Sequence, residues 1–493
     1  MSDEEMHTRP AQLNAMYTAA WCGKFSAFVR LCEAEAEPLA KGYVALLLLF
    51  TEQYRDEARG LSLAEQVLPW LENAGQTCPH ALFVLATLKH HGKATAQDIP
   101  SAEANLLTLS EKGHANAQCV LAHHYEVTTD DLFPQSWRWY AAAANQGHPE
   151  AMFRLSQLSL SDPACTEKEM GVAFNLLRRA AARGHPAALA HRGDCFRHGN
   201  YGVPRHENLA FSFYNISAEK NDHRGLFCLA ECYKYAIGIV EDPVKAARNF
   251  KKAADLGHVE ACFYTGMHHF NGTDGIPRSN SAAVRYFHEV EDASEEEKQL
   301  LGESLVAETE YMLGLLALLS PSVGMVPNLP EEYFINSSNK GHILARIELA
   351  CYFAFVLNTE DSREEARDLL PTVLGELDPD QPFSVLLPQA TGHHPHILWR
   401  LARNALGGYG YYYENHPPSE FDAQPQWIQD AAPLLKVGLL LLKLHPANPG
   451  QLSHDELLSA VHLLQSPLRQ ADRTVMCVCE SDKAIEEAYA ALV

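Results

Sequence analysis

The sequence predicts an all-α solenoid built of stacked antiparallel helix pairs, and three observations point there. First, a pattern typified by residues 257–277 (GHVEACFYTGMHHFNGTDGIP) recurs. Its starts fall at Thr77, Gly113, Gly147, Gly184, Asn221, Gly257, Leu305 and Gly341, at spacings of 36, 34, 37, 37, 36, 48 and 36 residues. A lone helix pair cannot bury its apolar face, so copies of this length stack and share one elongated core. Second, small residues stand four after each start (Ala81, Ala117, Ala151, Ala188, Gly225, Ala261, Thr309, Ala345). They recur nine after it (Ala86, Ala122, Ser156, Gly193, Ala230, Gly266, Gly314, Ala350), as two closely packed helices require. Third, large residues recur seven before the next start (Tyr140, Leu177, Tyr214, Phe250, Phe334), followed by small pairs such as Ala143/Ala144, Ala180/Ala181 and Ala253/Ala254. Each repeat thus carries helical spacing in both halves.

Taken in order, residues 1–76 read as an N-terminal cap with helix pairs over 12–37 and 39–76, the second suited to a divergent first repeat. Residues 77–357 form the regular array, interrupted where about eleven extra residues, 295–305, lengthen one connection. Residues 358–435 keep Ala402, Ala405, Gly408 and Gly410 in repeat-like order, with Trp427 and Ala431/Ala432 for a second helix, and read as a degenerate repeat with long loops. The last segment, 436–493, contains a helix start near Ser453 with acids at Asp455 and Glu456 and reads as a C-terminal cap. Terminal units must differ because their outer face meets water. Gly199/Gly202, Gly272/Gly275 and Gly408/Gly410 are expected to supply positive φ in the turns.

The pattern resembles the Sel-one-like repeat family, a relative of the tetratricopeptide repeats. One copy runs through Ala188, Gly193 and Phe196, the loop 199–203 and a second helix over 210–218, and another spans 225–258. Gly-His recurs at Gly113, Gly147, Gly184, Gly257 and Gly341, and the resemblance covers roughly residues 75–357. Asn221 and Asp222 depart from it by replacing one Gly-His. The resemblance implies a right-handed superhelix whose first helices line the concave side, and a protein-binding role.

Composition restricts the function classes. A formal charge of 39 minus 62, or −23, repels phosphate backbones, and no basic patch is segregated in the sequence, so nucleic acid is not expected as a partner. Arg178/Arg179 and Lys251/Lys252 read as a solvated face of second helices. The apolar runs 43–50 and 437–442 are far shorter than the ~20 residues that span a bilayer. The polar, acidic start MSDEEMHTRP lacks the character of a secretory signal, and the expectation is a soluble cytoplasmic protein, bacterial by the family's distribution. Cys119, Cys195, Cys228, Cys232, Cys262 and Cys351 all fall on first helices and read as free core thiols. Cys228 and Cys232, one turn apart, leave metal binding open, whereas Cys477 and Cys479 have no zinc-spaced partners.

The histidine clusters His123/His124, His268/His269 and His393/His394/His396 place neighbours about 100° apart on a helix, which does not suit one ion. The Gly-His imidazoles recur with the repeat and read as packing or hydrogen-bonding groups at the turns. No His-Glu-x-x-His, phosphate-binding glycine loop, Gly-x-Ser-x-Gly elbow or dinucleotide fingerprint occurs, so neither a cofactor nor a metal is expected.

The candidate site is a stripe three, six, ten and thirteen after each start. Phe83, Phe153, Phe227, Phe263 and Tyr311 stand at offset six, flanked by Asn116, His123, Glu126, Gln157, Asp194, Arg197, Arg224, Glu231 and Lys234. An aromatic row bordered by mixed charge suits a peptide groove; the same aromatics also suit packing against the second helices. The polar flank from Asp194 to Lys234 is the stronger candidate for contact. The expected function is a non-enzymatic scaffold or adaptor for a protein or peptide, which the acidic surface favours as basic or neutral. Its alternatives are an enzyme whose site lies around 392–418, a glycine- and tyrosine-rich tract beside clustered histidines, and RNA binding in the manner of other helical repeats.

Overall fold

The computed structural model describes residues 3–20, 28–30, 37–51, 54–128, 133–161, 165–319, 329–342, 345–346 and 348–349. The expected units 358–435 and 436–493, and the tract 392–418, lie outside them. Among the described residues all regular structure is helical: α1 Asp3–Ala19, α2 Pro38–Phe50, α3 Glu57–Ala74, α4 Pro79–His91, α5 Ile99–Glu111, α6 Ala115–Thr128, α7 Phe133–Asn145, α8 Pro149–Ser161, α9 Glu167–Ala182, α10 Pro186–His198, α11 Glu207–Ala218, α12 His223–Lys234, α13 Pro243–Asp255, α14 Val259–Asn271, α15 Asn280–Glu291, α16 Glu295–Leu301, α17 Glu303–Leu319 and α18 Pro330–Asn339. Two compact units are formed, Met1–Ala261 and Cys262–Val493.

Local chemistry sets the helix starts. Pro38, Pro79, Pro186 and Pro243 occupy the first helical turn, where no donor is lost. Asp56, Asp98 and Asp242 cap their helices by accepting a backbone N–H three residues on. Thr166 and Glu169 form a reciprocal capping box at α9. Gly199, Gly202, Gly272 and Gly275 have φ of 74°, 73°, 68° and 77°, the positive values expected of those turns.

In the first unit α2/α3, α4/α5, α6/α7, α8/α9, α10/α11 and α12/α13 pair in succession, and each pair packs on the next. The recurrent small and large positions meet inside the pairs. An atom at the Cβ position of Gly193 on α10 would stand 2.4 Å from the ring of Tyr214 on α11, so the ring lies directly on the glycine backbone. Tyr43, Phe83, Tyr140, Tyr214 and Phe250 are fully buried. Full burial of an aromatic side chain contributes about 1.5–3 kcal/mol each, so this row adds substantially to cohesion within the pairs.

The second unit repeats the device. The ring of Phe287 on α15 sits against Gly266 on α14, and that of Phe334 on α18 against Gly314 on α17. The long connection expected over 295–305 is instead a short helix, α16. Ser294 and Glu297 form its capping box, and Gly302, at φ 85°, ends it, so that α17 starts at Glu303. A local cap nucleates the insert as its own element, while none of its residues is buried.

Candidate partner-binding face of the first helices

The Gly-His turns set the geometry between neighbouring pairs. At Gly184 the chain adopts φ 82°, and His185 then caps α10, its Nδ1 accepting from the N–H of Ala188 at 3.2 Å. With Nδ1 an acceptor, Nε2 carries the proton, and it donates to Glu150 Oε2 on α8 at 2.7 Å. The imidazole also stacks on Phe153, with centroids 4.9 Å apart. His148 repeats this by capping α8 and donating to Asn116 at 2.7 Å, and His342 donates to Glu308 at 2.6 Å. Phe83 stacks on His114, Phe227 on His258, and Tyr311 lies against His342. Where Asn221-Asp222 replaces Gly-His, Asn221 takes φ 57° and the Asp222 carboxylate caps α12 through the N–H of Gly225 at 2.8 Å. Asparagine tolerates that conformation, so the turn survives the substitution.

Burial shapes the charge states of these groups. It lowers His114 and His258 to about 3 and His148 to about 4, leaving neutral imidazoles at neutral pH. Burial alone would raise Glu150, but the His185 hydrogen bond and the Arg154 guanidinium hold its carboxyl well below the usual range.

The offset-six aromatics Phe153, Phe227 and Phe263 are buried, at 5%, 7% and 6% exposure, beneath these imidazoles or against second helices. Asn116 is buried too. It donates to Asn14 Oδ1 of α1 at 2.7 Å and accepts from Thr18 at 3.1 Å, while Tyr17 of α1 stacks on Tyr43 at 4.7 Å and meets Phe83 edge-on at 6.1 Å. Helix α1 therefore lies across the first helices α2, α4 and α6.

The polar candidates are half-buried or exposed, and many are tied across one repeat. Asp194 on α10 pairs with Arg224 on α12 at 2.8 Å, and Arg197 with Glu231 at 2.5 Å. Burial alone would lower Arg224; the Asp194 carboxylate more than offsets this and raises it. Gln157 bonds His191 at 3.0 Å, Glu126 accepts from Tyr140 at 2.6 Å with His123 at 3.4 Å, and the Lys234 ammonium lies over the Tyr235 ring. Glu150 and Glu260 share offset three with Asn116 and Arg224, and sequence reasoning passed over both. Glu260 is raised to about 7, first by burial and then by the nearby Glu231 carboxylate. The face thus combines fixed ion pairs with one carboxyl poised near neutrality.

Among the described residues no group of three or more His, Cys, Asp or Glu is placed to hold a metal ion. Cys228 and Cys232 are buried, and burial raises both thiols, Cys232 to about 12. No helix of the described residues is long and apolar enough to cross a membrane.

Stacked helix pairs with a polar first-helix face define a helical-repeat protein. The family model of the Sel1 repeat matches residues 115–148, 149–185, 186–222, 224–258 and 259–289. Residues 115–289 thus carry five Sel1 repeats. The chain is 26% identical over 201 residues to the chitin synthase regulator SKT5 of Saccharomyces cerevisiae, covering 39% of this chain and 29% of that protein. It is 26% identical over 200 residues to an uncharacterized protein of Neisseria meningitidis, 40% of this chain and 41% of that one. The match spans less than half the length of either relative. Among solved structures, the Sel1 repeat protein of Oxalobacter formigenes shows 25% identity over 52% of this chain and 98% of its own, at TM-score 0.41. The protective antigen c5321 of uropathogenic Escherichia coli shows 18% identity over 95% and 96%, at 0.44.

Proposed function

We infer that the protein is a non-enzymatic scaffold or adaptor that holds a protein or peptide partner on the face of its first helices. The observation that carries this reading is α1. The chain lays one of its own helices across α2, α4 and α6, burying Leu13 and Tyr17 and bonding Asn14 and Thr18 to Asn116. A face that accepts a helix in cis has the chemistry to accept a partner segment farther along. There His123, Glu126, Gln157, Asp194, Arg197, Arg224, Glu231 and Lys234 supply polar groups that are not covered by α1. The Sel1 repeats and the regulatory role named for the yeast relative support the same reading. The net charge of −23 steers a basic or neutral partner toward this face and disfavours nucleic acid, and a cytoplasmic setting agrees with the buried thiols.

The Arg197–Glu231 pair allows a test that keeps its own bridge, whereas Asp194 also accepts the buried Tyr214 hydroxyl at 2.7 Å and is left in place. Arg197→Glu with Glu231→Arg exchanges the members of the pair and keeps the bridge while reversing the field a partner meets. The expected result is loss of a captured partner from the exchanged protein with helicity and melting unchanged. An identical partner set from both proteins overturns the assignment to this face. Empty captures from both overturn the scaffold reading.

A further inference from the structure

On the other side of α10 from the Asp194–Arg224 pair stands an arginine of a different kind. The Arg192 guanidinium lies over three rings, Phe174 of α9 at 5.3 Å, Phe196 of α10 at 5.4 Å and Phe213 of α11 at 5.2 Å. Phe196 and Phe213 are themselves stacked, their planes 8° apart. Its Nε is buried and lacks a hydrogen-bond acceptor. One turn beyond Phe174 on α9 stands another cation, Arg178, whose own bond goes to the neutral amide of Asn175 at 3.3 Å. Burial lowers the affinity of Arg192 for its proton, Cys195 opposes this in part, and Arg178 adds to the lowering.

This arrangement is unusual for a chain with 62 acidic and 39 basic side chains. Elsewhere in the array Arg154, Arg197 and Arg224 each have a carboxylate within 2.8 Å. Cation–ring attraction holds the guanidinium in place without satisfying its Nε donor. Two neighbouring guanidinium groups without an anion repel each other, and an anion placed between them relieves both. The exposed ring of Tyr201, 6.0 Å from Phe174, provides an apolar wall at the same place.

We propose that Arg192 and Arg178 form a carboxylate-accepting site, beside the Tyr201 ring, for a protein partner presenting an acidic side chain or C-terminal carboxylate next to an apolar residue. A planar carboxylate matches the fork of a guanidinium whose faces are already occupied by rings. A phosphate dianion meets twice the repulsion from the protein's net charge for the same contacts. The site is separate from the first-helix face, so a partner bound there gains a second anchor whatever its overall charge.

The test observes the Nε–Hε resonances of a deuterated, arginine-labelled full chain, with the Arg192 signal identified by its absence in Arg192→Lys. N-acetyl-leucine, N-acetyl-leucinamide and inorganic phosphate are the probes. The expected result is a saturating shift of the Arg192 signal with N-acetyl-leucine and none with the amide. Arg178→Ala, an exposed change that leaves melting unaffected, weakens the first by about threefold or more. Equal shifts with acid and amide, or no saturable shift up to about 50 mM acid, overturn the proposal. Phosphate binding tighter than the acid overturns the assignment to a peptide carboxylate.

Discussion

Each Gly-His imidazole performs several tasks at once, and removing it separates them. In His185→Ala the α10 cap is lost and Glu150 loses the shorter of its two bonds, leaving Arg154 alone beside a buried carboxylate. A lost cap and an underpaired buried acceptor together cost about 2–4 kcal/mol. His185→Asn keeps a capping oxygen and is expected to recover about 1 kcal/mol of this. Amide hydrogen exchange at Ala188 distinguishes them: protection falls in the alanine variant and persists in the asparagine variant. Glu260 makes a prediction that depends on pH. Its folded pKa, about 7, lies above its ordinary 4.5, so the folded state holds the proton longer and stability falls as pH rises between those values. Glu260→Gln removes this loss, and its denaturation midpoint is expected to exceed that of the parent at pH 8 but not at pH 4.5.

At the scale of helix pairs, two glycines on adjacent helices have opposite consequences. Gly193→Ala drives a methyl into the Tyr214 ring and is expected to cost about 1–3 kcal/mol, since the ring is fully buried and cannot withdraw. Gly171 on α9 has nothing within 4 Å of a new Cβ, and Gly171→Ala is expected to stabilise by about 0.5–1 kcal/mol. Urea melts of the two variants check both signs. Such pair contacts were legible in the sequence, because offset nine and the position seven before the next start each constrain size inside one repeat. Polar ties were less legible. Gln157–His191, Arg197–Glu231 and His90–His124 each join residues 34 apart on neighbouring first helices, two or three short of a full repeat. Reading one helix face at a time makes them look like free groove residues; comparing positions 34 apart, nearly one turn short of the repeat, would have shown their complementarity. Arg192 gave no such signal, since its rings come from three helices, and Asn116 gave none because α1 that covers it lies about a hundred residues away in sequence.

Over the whole molecule the buried imidazoles act in concert. His114 and His258 at about 3, and His148 and His191 at about 4, all lie below their ordinary 6.5. The unfolded chain therefore takes up protons first, so this stability is complete above pH 6.5 and is lost as pH falls toward 4. Unfolding at pH 5.5 is expected to bind close to one proton per buried imidazole, measurable as the slope of the denaturation midpoint against pH; a flat profile between pH 7 and 5 would contradict it. One joint stands apart, the α10–α12 contact, where Asp222 replaces the histidine cap and two arginine–carboxylate pairs supply the ties. Acidification then divides the array unevenly: the His148 and His258 turns on either side weaken while residues 149–255 stay together. A protease acting briefly near pH 5 should cut at the weakened turns and release that stretch as one resistant fragment.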